Sequence, residues 1–314
     1  MQNKHCEIGA FVGNPNHRPP NAEEIRKYEH LTGRHLNSIL FFWDWADGAF
    51  PMSDLHQVRY HDGYDTQISL HITWEPWERA GVDDKSYSLS SIIKGKHDKY
   101  IQQFASDCRD WNGIIRLRFA HEMIHFNNPN TSGWYPWQDK PFEYVQAWRH
   151  IHTIFKQEKA DNVEFVWAPM NYPDWMDVVP LYYPGKEYVD WLAIDGYNWG
   201  EDGKPGWPYD QNFNDLFYPM YHTFIDHPEV FGNKKIMISE IATPKDNRFG
   251  GNKSIWIIDM FKCLKNQYSK IQAFYWFNAK KEKDWRVNSS PLSLAAFRKS
   301  LRDPYFTSHE KHKL

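Results

Sequence analysis

KIMISEIA, residues 235–242, is a run of apolar residues broken only by Lys235, Ser239 and Glu240. A strand with one wet face alternates; one this apolar fits the centre of a parallel sheet, buried on both faces. Seven further runs share its β-rich character: IGAFV at 8–12, SILFFW at 38–43, TQISLHITW at 66–74, IIRLRFA at 114–120, VEFVWA at 163–168, WLAIDGYNW at 191–199 and IQAFYWFN at 271–278. Helical patterns lie between them. Asn21 is placed to cap AEEIRKYEHL and Gly33 to end it. From Phe142 to Lys159 the residues Phe142, Val145, Trp148, Ile151 and Phe155 recur at three- and four-residue spacing, and SIWIIDMFKCLKNQY from Ser254 repeats the pattern. Eight strands starting about 28 to 49 residues apart, with helices in the gaps, predict an α/β protein folded as a single (β/α)8 TIM barrel rather than an open sheet. No internal repeat, low-complexity tract or linker interrupts the series, so residues 1–314 are expected to form one domain.

Composition narrows the function. With 37 Lys+Arg against 40 Asp+Glu the net charge is −3, which offers no broad attraction for nucleic acid or an anionic membrane. Cys6, Cys108 and Cys263 are far apart and form no CxxC, so free thiols are expected, with no disulfide framework and no zinc knuckle. The opening residues MQNKHCEIGAFVG hold no apolar signal-peptide core, and nowhere do 18 apolar residues run together, so no membrane span is predicted. The chain is expected to act as a monomer without a cofactor. Its 16 Trp, 18 Tyr and 20 Phe exceed what a core requires. Most should be core; some rings should bind a ligand.

In a barrel of this kind the chemistry sits at the carboxyl ends of the strands. Those ends carry Trp43-Asp44-Trp45, Trp74-Glu75, His121-Glu122, Asp195 with Tyr197 and Trp199, Glu240, and Trp276-Phe277-Asn278. Glycoside hydrolysis needs two carboxylates facing each other across the substrate, one to protonate the leaving oxygen and one to attack the anomeric carbon or activate water. Glu122 and Glu240, ending the fourth and seventh strands on roughly opposite walls, meet that demand. Glu75 reads better as structural.

The segment Arg118-Phe119-Ala120-His121-Glu122-Met123, followed by Trp134-Tyr135-Pro136-Trp137, resembles the acid/base motif of glycoside hydrolase family 26, the β-mannanase type. Tyr183-Pro184-Gly185, Tyr188-Val189-Asp190-Trp191, Ile194 to Trp199, Ile238-Ser239-Glu240 and Asp284-Trp285-Arg286 resemble the family in order, from about Ile8 to Arg298. The resemblance implies a retaining double displacement without metal, with Glu122 as acid/base and Glu240 as nucleophile, about 5 to 5.5 Å apart. It further implies that His121 binds near the cleavage point and helps hold Glu122, that Tyr197 donates a hydrogen bond to Glu240, and that Trp134 and Trp276 offer faces to sugar rings. The implied substrate is a β-linked polysaccharide, β-1,4-mannan first, met outside the cell, at its surface or in the periplasm. One departure stands out: residues 124–133 intervene before Trp134 where the family has a shorter link. That insertion lines the substrate side and keeps mixed-linkage β-glucan, β-xylan and a bacterial exopolysaccharide open.

Two other readings compete. His121-Glu122-Met123-Ile124-His125 matches HExxH, with Glu143 as a conceivable third ligand of a zinc peptidase. That motif works only within a helix, whereas here it follows a strand pattern and runs into Asn127-Asn128-Pro129-Asn130. A non-catalytic carbohydrate-binding barrel would retain the aromatic platforms but tend to lose one of the paired carboxylates, and both are present.

Overall fold

The structure, a computed structural model, describes residues 5–13, 18–78, 86–124, 134–171, 177–200, 210–244 and 253–307. All eight expected strands form: β1 Cys6–Phe11, β2 Ser38–Asp44, β3 Ser69–Glu75, β4 Ile115–Phe119, β5 Val163–Trp167, β6 Trp191–Tyr197, β7 Lys235–Ala242 and β8 Ile271–Phe277. Each pairs in parallel with the next, and β1 pairs with both β8 and β2, so the sheet closes on itself. A two-residue strand, Phe306–Thr307, extends the sheet beside the start of β1. β3 begins at Ser69 rather than Thr66. Thr66 donates its N–H back to the Arg59 carbonyl and Gln67 takes a left-handed φ of 52°, so the chain is still turning there.

The helices follow their sequence signals. Helix Ala22–Thr32 starts with a capping box in which the Glu24 N–H donates to Asn21 Oδ1 (2.9 Å) and the Asn21 N–H to Glu24 Oε2 (2.8 Å), and it ends at Gly33 with φ +73°. Helix Pro141–Gln157 lays Tyr144, Ala147, Trp148, Ile151, Ile154 and Phe155 against the sheet. Phe142, expected on that stripe, is exposed. It lies two residues before Tyr144, about 200° round the helix at 3.6 residues per turn, and so faces the other way. Helix Lys253–Asn266 buries Trp256, Ile257, Met260, Phe261 and Leu264 in the expected manner. Cys6, Cys108 and Cys263 are buried free thiols.

Among the described residues, eleven Trp side chains are fully buried, so the indole excess is mainly a packing feature. The barrel interior is polar instead. Near its floor, Arg116 pairs with Glu7 (2.7 Å) and donates to Tyr275 Oη (3.0 Å), which in turn donates to Ser38 Oγ. Gly9 makes room for that ring, since a Cβ there would lie 2.3 Å from Tyr275 Cδ1. His71 stacks on Tyr275 at 4.5 Å between centroids. Among the described residues, no helix is long and apolar enough to cross a membrane.

Candidate active site

Side chains of a strand alternate between faces, and the inward positions of four strands carry the site: His71, Thr73 and Glu75 on β3; Arg116 and Arg118 on β4; Asp195 and Tyr197 on β6; Tyr275 and Phe277 on β8. The centre is Arg118, which is fully buried. Its Nη2 donates to Glu240 Oε1 (2.5 Å), Nη1 to Asp195 Oδ2 (2.6 Å), and Nε and Nη2 both to Thr73 Oγ1 (2.9 and 2.6 Å). Two carboxylates around one guanidinium offset its desolvation, and its pKa stays above the usual arginine value. Burial, with the Glu240 and Glu122 charges adding to it against the pull of Arg118, pushes the Asp195 carboxyl well up.

Glu240 reaches Arg118 through a break in register. Ile194 lies opposite Ile238, but Asp195 lies opposite Glu240, so Ser239 is an extra residue. This bulge turns the Glu240 side chain to the same side as Asp195. Its second oxygen accepts the hydrogen bond from Tyr197 Oη, the donor that the sequence motifs implied. The Tyr197 ring is wedged between Trp285 (5.2 Å), Phe277 (5.7 Å) and Trp199 (6.1 Å).

Glu122 lies three residues past the end of β4. The backbone there is unusual: Ala120 and Glu122 have φ of +44° and +50°, a left-handed conformation that non-glycine residues adopt only when their surroundings enforce it. The surroundings do so. The Ala120 N–H donates to the Trp74 carbonyl (3.1 Å), the Glu122 N–H to the Ala168 carbonyl beyond β5 (2.8 Å), and Gln138 Nε2 to the Glu122 carbonyl (2.7 Å). The half-buried Glu122 is thereby strapped to β3, β5 and the 134–138 turn. Its carboxylate acts on the same groups as Glu240: both raise the phenol pKa values of Tyr197 and Tyr135, beyond what burial already does.

His121 is buried. Its Nε2 lies 3.1 Å from Tyr135 Oη, its Nδ1 3.8 Å from Glu75 Oε1, and its carbonyl accepts from Trp137 Nε1 (2.8 Å). Glu75 is fully buried, and burial raises its carboxyl pKa to about 8, opposed by a hydrogen bond with Asp44 and by Arg118. Asp44, its neighbour in register, also accepts from Trp77 Nε1 (2.8 Å). Glu75 thus belongs to the polar wall behind His121.

The two proposed sugar platforms differ. Trp134 is 60% exposed. Trp276 is a correction to the sequence reading: it is fully buried on the outer face of β8, its Nε1 donates to the Trp285 carbonyl (2.9 Å), Phe297 abuts its ring, and the Lys253 ammonium lies over it. No face is left for a sugar. Alternation explains this, because Phe277 takes the inward position and stacks on Phe11 at 4.5 Å. Alternation was also the signal that could have found Arg118, inward with Arg116 in the pattern IRLRF.

Residues 121–124 are not helical, so the first four positions of the HExxH match lack the helix that such a zinc site requires. His125 and the rest of the insertion to Gly133 lie outside the described residues.

No protein-family model matches the chain. Endoglucanase H of Acetivibrio thermocellus is 34% identical over 310 residues, 95% of this chain and 31% of that protein. Mannan endo-1,4-beta-mannosidase A and B of Caldalkalibacillus mannanilyticus is 33% identical over 98 residues, 28% of this chain and 17% of that protein. The chain therefore spans less than a third of the length of either curated relative. Among solved structures, the catalytic domain of the GH26 endo-beta-1,4-mannanase of Bacillus sp. JAMB-750 superposes with a TM-score of 0.70 at 14% identity, covering 98% of this chain and 87% of that one. A GH26 beta-mannanase from Bacteroides ovatus gives 0.68 at 15% identity, covering 100% and 96%. The likeness to family 26 read from the ordered motifs thus extends to the fold.

Proposed function

We propose that this barrel is a retaining endo-β-glycanase of glycoside hydrolase family 26, with Glu240 as nucleophile and Glu122 as acid/base. The observation that carries this reading is a clamped carboxylate, held by Arg118 on one oxygen and Tyr197 on the other, together with a second carboxylate strapped in place just past the end of β4. Donors on both oxygens suit an acceptor that must be aimed, and an aimed carboxylate is what attack on an anomeric carbon requires. Glu122, half-buried beyond the end of β4 with its backbone strapped in place, suits the group that gives a proton to the leaving oxygen and later takes one from water. His121 and Tyr135 stand beside Glu122 and fix that wall. Trp134 offers an exposed ring to a sugar face.

The substrate is a β-1,4-linked polysaccharide, with mannan as the first candidate because the family-like motifs and the mannosidase relative both point to it. A second reading, β-glucan, is favoured by one observation: the relative named an endoglucanase aligns with 95% of this chain, whereas the mannosidase aligns with 28%. A polymeric substrate of either kind argues for a secreted, periplasmic or cell-surface enzyme. β-Xylan and a bacterial exopolysaccharide belong in the same panel.

Product analysis over mannan, mixed-linkage glucan and xylan tests class and specificity together. Glu240→Ala is expected to abolish turnover on every substrate. Glu122→Ala is expected to abolish polymer hydrolysis while sparing aryl glycosides whose leaving group needs no proton. Polymer hydrolysis at the parental rate by Glu240→Ala would overturn the mechanism; binding without turnover by the unmodified protein would favour the non-catalytic barrel.

A further inference from the structure

The opposite end of the barrel holds a second cluster of chemistry-bearing side chains. Glu29 lies in the last turns of helix Ala22–Thr32, and His35 lies in the link from that helix to the start of β2. His61 and Asp62 follow helix Met52–Arg59 on the way to the start of β3. Both links feed the amino ends of strands, away from the mouth.

The four side chains converge. Glu29 Oε2 lies 2.9 Å from His35 Nδ1 and 3.2 Å from His61 Nε2; Asp62 Oδ2 lies 3.7 Å from His35 Nδ1 and 3.6 Å from His61 Nε2. The ligand atoms of Glu29, His35 and Asp62 all lie within 4.8 Å of one another. Ligand atoms around a tetrahedral ion with bonds of ~2.0–2.2 Å lie about 3.4 Å apart, and the contacts of Glu29 and Asp62 with His35, 2.9 and 3.7 Å, lie on either side of that value.

The outer atoms of the two buried members are already committed. His61 Nδ1 contacts the Val58 carbonyl at 2.7 Å, where it can only donate, so in the neutral ring the lone pair belongs to Nε2, which faces the cluster. Glu29 Oε1 accepts the Leu36 N–H (2.7 Å), leaving Oε2 for the cluster. Such outer hydrogen bonds are what orient metal ligands. His61 is 1% exposed and Glu29 7%, whereas His35 is 42% and Asp62 21% exposed, so the cluster opens to solvent on one side.

We propose that Glu29, His35 and Asp62, with His61 set against two of them, form a site for a divalent transition metal of the zinc class, tying the ends of two helices together at the floor of the barrel. Two imidazoles and two carboxylates suit zinc over calcium or magnesium, which take six or more oxygens. The cluster lies at the amino ends of the strands, away from the mouth, so the ion is structural and leaves turnover unchanged. A proton shared by His61 Nε2 and Glu29 Oε2, 3.2 Å apart, is the competitor for this site.

The test is zinc titration of chelator-treated full-length protein, by calorimetry and by competition with a chromophoric chelator, alongside thermal unfolding. One zinc per chain is expected, with an unfolding midpoint that rises with zinc and not with magnesium. His61→Ala, and separately the half-exposed His35→Ala, which spares the core, should each weaken binding more than tenfold and remove the rise in midpoint. Zinc binding of equal affinity in both variants would overturn the proposal. So would no binding at neutral pH, which leaves the cluster as a histidine–carboxylate ion pair.

Discussion

Replacing Tyr197 by Phe removes one hydrogen bond and almost nothing else. The ring keeps its contacts with Trp285, Phe277 and Trp199, and Arg118 still holds the other Glu240 oxygen. In the proposed cycle the two chemical steps feel the loss differently. Forming the glycosyl-enzyme consumes charge on Glu240, so the lost donor acts there mainly through aim. Breaking it regenerates the carboxylate, and a donor at the departing oxygen stabilises that transition state directly. A hydrogen bond to a charged group contributes roughly 1.5–3 kcal/mol, which at about 1.4 kcal/mol per factor of ten is a loss of about 10- to 150-fold in the second step. With an aryl glycoside bearing a good leaving group, Tyr197→Phe should show a pre-steady-state burst, a lower kcat, a lower KM and a protein mass increased by the trapped sugar. Thermal unfolding should be nearly unchanged. An unaltered kcat with no burst and no mass increase would refute the assignment of Tyr197 as the partner of a covalent nucleophile.

Three further outcomes follow from the geometry. Arg118→Met leaves Asp195 and Glu240 facing each other without their guanidinium and should cost about 3–5 kcal/mol in urea unfolding, the penalty for breaking a buried pair; Arg118→Lys should not restore activity, because one ammonium cannot span Thr73, Asp195 and Glu240 in a plane. The two tryptophans should separate cleanly. Trp134→Ala should raise KM for polymer about two- to tenfold, one aromatic face being worth roughly 0.5–1.5 kcal/mol, with stability unchanged, whereas Trp276→Ala should lower stability by about 3–5 kcal/mol. Glu75, raised to about 8 in the fold from an ordinary value of 4.5, binds its proton more tightly folded than unfolded. Its contribution is therefore complete below pH 4.5 and is lost as pH rises through 8, at up to about 1.4 kcal/mol per pH unit. Glu75→Gln should flatten that part of the stability profile, as read by denaturant unfolding at a series of pH values, and an unchanged slope would remove Glu75 as its source.

The barrel was legible because hydrophobic periodicity is a property of each element alone. All eight strands, the Asn21 cap and the Gly33 stop could be read from local residues, and the strand-end rule then pointed at Glu122, Glu240 and Tyr197. What could not be read depends on which face a residue takes. Trp276 and Phe277 are adjacent aromatic residues at a strand end, and only the register of β8 decides that the first packs against helices and the second faces the mouth. The Ser239 bulge is of the same kind: shifted by one residue, Glu240 would point out of the barrel. Hydrogen bonds from Ala120 and Glu122 to the neighbouring strand ends, not any propensity of their own, hold the backbone there left-handed. Phe142 shows the limit on helices: its spacing matches the stripe at the first turn, yet its side chain faces solvent.

Arg118 and Asp195 drew no role from sequence, yet charge balance gives a reason for both. A guanidinium with Glu240 as its sole carboxylate would be left uncompensated each time Glu240 became an ester, and a buried unpaired charge is costly. Asp195, 2.6 Å from the same guanidinium, prevents that. Burial and the Glu240 and Glu122 charges hold its carboxyl up against the pull of Arg118. A nucleophile that must gain and lose its charge inside a buried polar layer is therefore matched to a second carboxylate on the same guanidinium, so that Arg118 keeps an acceptor throughout.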